Sequence, residues 1–470
     1  MSHMVIIMAA GEGRRMRSEV PKVLHPVAGR PILSWIVNAA AATGPDRIMV
    51  VVGAGARRVR SILPPGVGTC HQPQRRGTGQ AALVGMEALG ELADHTPVVV
   101  LPADVPLITS EAISRALERH VSEGAAATML TAEVEDPTGY GRVLRDSQGR
   151  VEGVVEHVDA TVEQREVREI NTSLYVFAAG PLRAALGRIG AGNRQGEYYL
   201  PDVIGLMVAD AKPVTAMPMP VHNALGVNDQ AQLAEVAGWM RRRILRRHML
   251  AGVWMEDPDR TYVDADVELS PGVRLHAGVH LEGKVVVGEG AIVGPDTYVR
   301  NSSIGPGSRV WYAVVRESRI GADVQVGPYA SLRPGTRIDG SGKAGSFVEI
   351  KNSRLREGAK APHLSYVGDA DVGERANIGA GTITANYDGY RKHRTVIGPG
   401  AQIGSNTVLV APVEVGEEGW TGAGSTITRP VPSGALAVER SSQKSLPGYA
   451  ARRAARYRQE SEHRTPAEDS

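Results

Sequence analysis

Between Val267 and Ile427 the chain places an aliphatic or small residue at every sixth position. The series reads Val267, Val273, Val279, Val285, Ala291 and Thr297, slips by one to Ile304 and Val310, and returns at Ile320, Val326, Leu332 and Ile338. It continues as Val372 and Ile378, then as Ile397, Ile403, Leu409, Val415, Thr421 and Ile427, most of them followed closely by Gly, Asp or Pro. A helix repeats at 3.6 and an extended strand at 2, so strict hexads suit neither as a long element. They predict a coil of flat six-residue faces with one aliphatic per face directed at the axis. Three faces close a triangular coil, and successive coils stack at roughly 4.8 Å. A single coil cannot bury its own apolar corner, so stability must come from stacking. A Gly-rich β-sandwich is the competing fold, but its strands would alternate at period two, which this segment does not.

The first half has a different pattern. Val5-Ile6-Ile7-Met8 is a short apolar run, a polar turning stretch follows through Ser18–Leu24, and Pro31 opens a helix. Arg47–Gly53 and Pro97–Leu101 are continuous apolar runs, as expected for parallel strands covered on both faces. Between them, His71–Gly79 ends in a helix start. Ala231 to Leu250 reads as a helix with Leu233, Val236, Met240 and Ile244 on one face. The expected organisation is an α/β domain over 4–229, a linker helix over 230–251, the stacked coil over 252–440, and a C-terminal arm over 441–470 that loses order beyond about Arg458.

Composition narrows this only in places. A chain of 470 residues suggests two or three domains. Aromatics are only 4% with two Phe, which suits a narrow prism filled by Val, Ile and Ala. Fifty-three basic and 51 acidic residues nearly cancel, so bulk charge argues for neither nucleic acid nor membrane. Arg241, Arg242, Arg243, Arg246 and Arg247 could bind nucleic acid, but on a linking helix they read as a solvated or interdomain face. The single cysteine, Cys70, excludes an intrachain disulfide and a Cys-based zinc site. No apolar run approaches the roughly 18 residues that span a bilayer. The opening Met1-Ser2-His3-Met4 lacks a signal-peptide core, and Ser-His-Met reads as a cloning remnant. The expectation is a cytoplasmic protein.

Candidate chemistry falls at element ends and at breaks in the hexads. After the first strand, Ala9-Ala10-Gly11-Glu12-Gly13-Arg14-Arg15-Met16 is small enough for backbone N–H groups to close on phosphate oxygens, with Arg15 and Lys22 as cations above it. It lacks the G-K-[ST] ending of a Walker loop. Asp104 lies at the carboxyl end of a strand, where open α/β sheets bind ligands and where a carboxylate suits Mg²⁺. Asn228, before Asp229, reads by itself as a turn or helix cap. The hexads break at Arg333, at Ser346–Lys351, at Lys360–Tyr366, and at the polar insertion following Thr384. There His363 is either a surface histidine or a general base.

A-A-G-x-G-x-R-M followed by P-K resembles the signature of sugar-1-phosphate nucleotidyltransferases. Together with the hexad blocks, nearly all of residues 4 to 445 resembles the bifunctional N-acetylglucosamine-1-phosphate uridyltransferase/glucosamine-1-phosphate N-acetyltransferase family. The resemblance implies a Rossmann-like nucleotidyltransferase domain followed by a left-handed parallel β-helix. It implies that Met8, Ala9, Ala10, Gly11, Gly13, Arg15 and Lys22 handle the triphosphate, and that Gln72, Gly77 and Thr78 read the base. Pro102 and Ala103 stand where Tyr-Gly is frequent, which leaves the strictness of UTP and sugar preference open. Asp104 with Asn228 is the implied Mg²⁺ pair. Gly141, Glu156 and Asn171 are implied sugar contacts, with His157 a structural neighbour and Ser173 in place of the usual glycine.

For the second site the resemblance implies that His363 takes the proton from the sugar amine, with Glu349 orienting it. Arg333, Lys351, Tyr366 and Asn377 would hold the sugar phosphate, and Ala380, Asn386, Tyr387, Ser405, Ala423 and Arg440 the acetyl-CoA. The implied substrates are UTP, acetyl-CoA, glucosamine 1-phosphate and N-acetylglucosamine 1-phosphate, the product a cell-wall precursor, and the assembly a homotrimer with sites between neighbouring β-helices. Neither nucleic acid nor membrane is an expected partner. A nucleotidyltransferase whose β-helix serves only assembly would lack the set around His363, and a binding protein without activity should have lost Arg15, Lys22 or Asp104.

Overall fold

The computed structural model describes residues 1–53 and 55–462. The chain divides into two compact units, residues 1–289 with 298–301, and residues 290–297 with 302–470. In the first unit a sheet runs in the order Val214–Pro218, Ala127–Glu133, Glu169–Ala178, Pro97–Pro102, Met4–Ala9, Arg47–Val52, Gly68–His71. Met4–Ala9 lies between parallel neighbours, whereas Glu169–Ala178 runs antiparallel to both of its own. The two apolar runs are doubly covered strands, as expected. Ile6, Val98 and Val100 pack with Ala82 and Met86 of the helix Thr78–Leu89. Val99 and Leu101, pointing the other way, meet Ile113 and Ala116 of the helix Ser110–Ser122.

Asp229 caps the helix Gln230–Leu250 by accepting the Gln232 N–H at 2.9 Å. That helix buries Val236, Met240, Ile244 and Leu245, with Leu233 half-buried. Arg241, Arg242, Arg243 and Arg247 have protein partners. Arg241 lies 4.7 Å over the Tyr262 ring, and Arg243 donates to the Leu107 carbonyl and to Asn223 Oδ1 at 2.8 and 2.9 Å. His3 is 1% exposed and sits 2.9 Å from Thr43 Oγ1, its main chain leading straight into the first strand.

The coils begin within the first unit, where Tyr262–Val263 pairs in parallel with His280–Leu281 and Glu268–Leu269 with Val286–Val287. In the second unit Gln325 pairs with Lys343 and Arg319 with Arg337, each eighteen residues on (343 − 325; 337 − 319), which is three hexads. This is the arrangement of the expected left-handed β-helix. Every hexad position from Val267 to Ile427 named above is buried, none above 4% exposed. The faces hold more than one inward residue, however: Val273 with Leu275, Val279 with Leu281, and Val285 with Val287 are all at 0%. Period-two alternation survives inside each short strand, so a face turns two side chains inward where the hexad reading gave it one.

The C-terminal arm is helical over Tyr449–Glu462, so order extends past the Arg458 boundary read from composition. The remainder of the tail expected to lack order, 463–470, lies outside the described residues. No helix among the described residues is long and apolar enough to cross a membrane.

Two outcomes follow from this packing. A methyl group on Gly345 would collide with the Pro362 carbonyl of the next coil. Gly345→Ala should therefore lower the thermal midpoint of the second unit by several degrees, about 1–3 kcal/mol, measured by calorimetry. His120 sits 3.1 Å from Thr128 Oγ1, and burial pushes its pKa down to about 4. The unfolded chain takes up this proton near pH 6.5 and the folded chain only near 4, so its contribution is complete above 6.5 and is lost as pH falls between them. Urea midpoints across that window should fall less steeply with acid in His120→Gln than in the parent.

Candidate functional sites

The first site forms at the carboxyl ends of the central strands. Ala9 ends the first strand, and the loop beyond it turns at Gly13, whose φ of +65° starts the short turn Arg14–Met16. A cleft of about 710 Å³ opens there. Met8, Ala9, Ala10 and Gly11 line one wall, Gln72, Gly77 and Thr78 a second, and Pro102, Ala103, Asp104 and Lys22 the floor. Gln72 is 4% exposed, and its amide donates to the Gly77 carbonyl at 3.2 Å and to Gln80 Oε1 at 3.0 Å, which fixes the wall. The Thr78 hydroxyl accepts the Leu200 N–H at 3.0 Å. Glu12, Arg14, Arg75 and Glu197 also line the cleft, and sequence reasoning had singled out none of them. Glu12 pairs with both Arg14 and Arg75.

The charged groups converge on one point. Lys22 Nζ lies 2.5 Å from Asp104 Oδ2 and 3.2 Å from Asn228 Oδ1, and Arg15 Nη2 donates to that same Asn228 oxygen at 2.9 Å. Backbone pairing explains why residues so distant in sequence meet: the Val227 N–H donates to the Asp104 carbonyl at 2.9 Å. Two oxygens thus surround a single cation, here an ammonium. The donor set also suits Mg²⁺, which takes one or two protein oxygens and completes its shell with substrate phosphates. No cluster of three or more His, Cys, Asp or Glu side chains able to hold a metal occurs among the described residues.

Gly13, Arg15 and Asn228 stand outside the residues lining the cleft, as do Gly141, Glu156 and Asn171. The Gly141 carbonyl accepts the Asn171 N–H at 2.8 Å, and Asn171 Oδ1 accepts from the Tyr175 hydroxyl at 2.9 Å. Ser173 has a φ of +59°, which accounts for glycine being the usual residue there. Burial raises the pKa of Glu156, with Asp202 and Asp159 adding to it. His157 sits 3.2 Å from the buried Arg142 guanidinium, a structural contact. Tyr199 is a residue that sequence reasoning missed. It is 8% exposed, its hydroxyl has no hydrogen-bond partner among the described residues, and burial, then Asp159 and Glu156, push its pKa up to about 12.

The second site lies on three consecutive coils. Ser331, Glu349 and Tyr366 occupy equivalent register positions, with Leu332, Ile350 and Val367 buried beneath. Arg333 Nη1 donates to Glu349 Oε1 at 2.8 Å. His363 ends the strand Lys360–His363, pairs in register with Ser346, and is exposed, with no hydrogen bond to its imidazole among the described residues. Glu349 is therefore given to Arg333 rather than to His363, the guanidinium being the charge one coil away on the same face. Asn377 pairs with Lys360 in the histidine's own sheet.

Lys351 carries a signal that the motif search did not use. Contact with Lys392, then loss of solvent, holds its pKa below the ordinary lysine value. Lys392 comes from the polar insertion, whose presence stretches the pairing offset to 25 residues between Asp371 and Val396 (396 − 371). Tyr366 and Asn386 close on one glycine: a methyl on Gly368 would lie 2.5 Å from the Tyr366 hydroxyl and 2.8 Å from the Asn386 amide nitrogen. Tyr387 is exposed, and its hydroxyl donates to the Gly389 carbonyl at 2.6 Å. Ala380, Ser405 and Ala423 stack on successive coils. Asn406 N–H donates to the Ala380 carbonyl at 2.7 Å, Gly424 N–H to that of Ser405 at 2.8 Å, and Arg440 to that of Ala423 at 3.0 Å. They form a ledge with an arginine at its end.

The MobA-like NTP transferase domain matches residues 5–170. A bifunctional protein GlmU from Kineococcus radiotolerans is 47% identical over 449 residues, 95% of this chain and 91% of that one. Another from Streptomyces avermitilis is 43% identical over 454 residues, 96% and 94% of the two chains. A solved UDP-glucose pyrophosphorylase complexed with UDP-glucose overlaps 52% of this chain and all of that one, at 17% identity and a TM-score of 0.42.

Proposed function

This chain belongs to the family of bifunctional GlmU proteins, and on that premise we propose how its two sites make UDP-N-acetylglucosamine. The second site transfers an acetyl group from acetyl-CoA to glucosamine 1-phosphate. The first joins the product to UTP and releases pyrophosphate. What carries the reading is the convergence of Lys22, Asp104, Asn228 and Arg15 on one point beside the cleft.

In the first reaction centre the sugar phosphate is already an anionic nucleophile, so no general base is needed. The barrier is charge repulsion and misalignment, and the chain's part is to align and neutralise. The backbone of Gly11 and Gly13 receives the triphosphate, Arg15 and Lys22 turn to its oxygens, and Gln72, Gly77 and Thr78 orient the base. Asp104 and Asn228, released by Lys22, would hold Mg²⁺, which supplies charge neutralisation across the phosphates. Gly141, Glu156 and Asn171 hold the sugar, and the free Tyr199 hydroxyl gives it one further partner.

In the second centre His363 removes the proton from the sugar amine as nitrogen attacks the thioester carbonyl. Lys351 and Lys392 receive the phosphate, with Tyr366 and Asn377 on the ring. Arg333 turns to the phosphate as well, which frees Glu349 toward the imidazole. The ledge Ala380, Ser405, Ala423 and Arg440, with Asn386 and Tyr387, receives acetyl-CoA. The exposed ladder Tyr312, Tyr329, Phe347 and Leu364 adjoins His363 in sequence and is the face assigned to a neighbouring copy in a homotrimer. We place the enzyme in the cytoplasm, where UTP and acetyl-CoA are supplied.

Paired assays test the assignment: CoA release with glucosamine 1-phosphate, and pyrophosphate release from UTP with N-acetylglucosamine 1-phosphate. His363→Ala should abolish the first and leave the second within twofold, whereas Arg15→Ala should lower the second about 100-fold and spare the first. Loss of both activities in either variant would show that the sites are wrongly divided. Tyr199→Phe should leave the thermal midpoint unchanged, since no bond is lost, and raise KM for N-acetylglucosamine 1-phosphate about fivefold. An unchanged KM would remove Tyr199 from the sugar site.

A further inference from the structure

The polar insertion is a hairpin tied at two levels. At its base, the Asn386 amide donates to Asp369, which also accepts from Asn352 at 2.6 Å. Arg394 Nη2 anchors the exit on Asp371 at 3.0 Å. At the tip, Asp388 Oδ1 accepts the N–H groups of Tyr390 and Arg391 at 2.8 and 2.6 Å, closing the turn around Gly389. Asp388 Oδ2 then accepts from His393 Nε2 across the hairpin at 2.7 Å. The His393 N–H donates to the Asn386 carbonyl at 2.8 Å, and Tyr387 bridges Lys392 in antiparallel register. Lys392, itself exposed, is thus held by a backbone bridge and flanked by a side-chain clasp.

Some such restraint is required. Arg391, Lys392 and Arg394 make this return segment strongly cationic, and Lys392 touches Lys351, another cation, with Asp369 and Arg333 also near it. Like charges in contact repel, so an unclasped hairpin would relax by moving Lys392 away and opening the phosphate position. We propose that His393 is a positioning residue of the acetyl-transfer site, clasping the hairpin through Asp388 so that Lys392 stays against Lys351 where a phosphate dianion binds. The inference rests on the reading of that site as the one that takes glucosamine 1-phosphate. Because the phosphate is held in ground state and transition state alike, loss of the clasp should act on binding rather than on the chemical step. Asn386 is fixed by Asp369 independently of the imidazole, so on the acetyl-CoA side only Tyr387, which bridges Lys392, shares in the loss.

The test compares the parent, His393→Ala and His393→Gln in the full-length protein, the glutamine amide being able to donate to Asp388. Amide hydrogen exchange over 386–393 reads the clasp without substrate: exchange should quicken in His393→Ala and return toward the parent in His393→Gln. Steady-state assays read its purpose. KM for glucosamine 1-phosphate should rise about tenfold in His393→Ala, with kcat within about twofold and a smaller rise in KM for acetyl-CoA, and His393→Gln should recover most of the loss. Unchanged exchange in His393→Ala would overturn the clasp. Quickened exchange with an unchanged KM, a fall in kcat alone, or a His393→Gln variant as impaired as alanine would overturn its role. A parent that shows the exchange pattern but does not acetylate glucosamine 1-phosphate would instead sink the reading of the site.

Discussion

Stacking of one coil on the next is the constraint on which the second unit depends. Each short strand of a coil shares its backbone hydrogen bonds with neighbouring coils, and its inward side chains are covered only when those neighbours are present. Leu332, Ile350 and Val367, each at 0% exposure, are one such column. Because the core is settled by these columns, the outward residue beside each can be chosen for chemistry. Ser331, Glu349 and Tyr366 occupy the outward positions next to that column. The same ladder tolerates an insertion at a corner: pairing resumes between Asp371 and Val396 with the hairpin displaced to the outside.

The first site solves a different problem with a different device. Met8, Ala9 and Pro102 are paired strand ends, but Arg15, Lys22, Asp104 and Asn228 lie in turns and loops, so their alignment rests on charge and on a few backbone bonds. Lys22, 13% exposed at its side chain, neutralises Asp104 and is shared with Asn228. A carboxylate and a carboxamide facing each other in a half-buried site need a cation between them, and the ammonium fills that position without substrate. In the proposed reaction, arriving phosphates would offer the ammonium a better partner and leave the two oxygens to the metal, an exchange of partners rather than a creation of new charge.

What the sequence disclosed tracks the range of the interactions involved. The hexads from Val267 to Ile427 were legible because each repeats a local rule, and repetition separates a weak rule from chance. The strand run Val98–Leu101 was legible for a similar reason, burial on two faces leaving no polar position. The second inward residue of each face, such as Leu281 beside Val279, was hidden because a two-residue strand is too short to display its own alternation. Arg15, Lys22, Asp104 and Asn228, named through motifs, fell near one another, whereas Gly141, Glu156 and Asn171 lie outside the cleft lining, and the partners of none followed from the motif. Glu349 answers to Arg333 because that guanidinium lies one coil below, a relation set by register. Tyr199 and Lys392 carry no local signature at all. Each matters through a neighbour far along the chain, Glu156 for the first and Lys351 for the second. Ser173 could be noticed only as a departure from a pattern, and its φ of +59° supplies the cause.

The pair Lys351 and Lys392 shows why a rigid prism suits this chemistry. A flexible scaffold would separate two ammonium groups, and a ligand would then have to bring them together against their repulsion during binding. Here Lys351 is fixed by its strand's pairing with Tyr366–Gly368, and Lys392 by a hairpin bonded at base and tip. The repulsion is therefore borne by the folded chain before any ligand arrives, and the proposed phosphate dianion would bind to relieve it rather than to create it. The same reasoning explains why the cations sit on stacked strands and a doubly tied hairpin, while His363, the proposed base, ends a strand with no bond to its ring among the described residues.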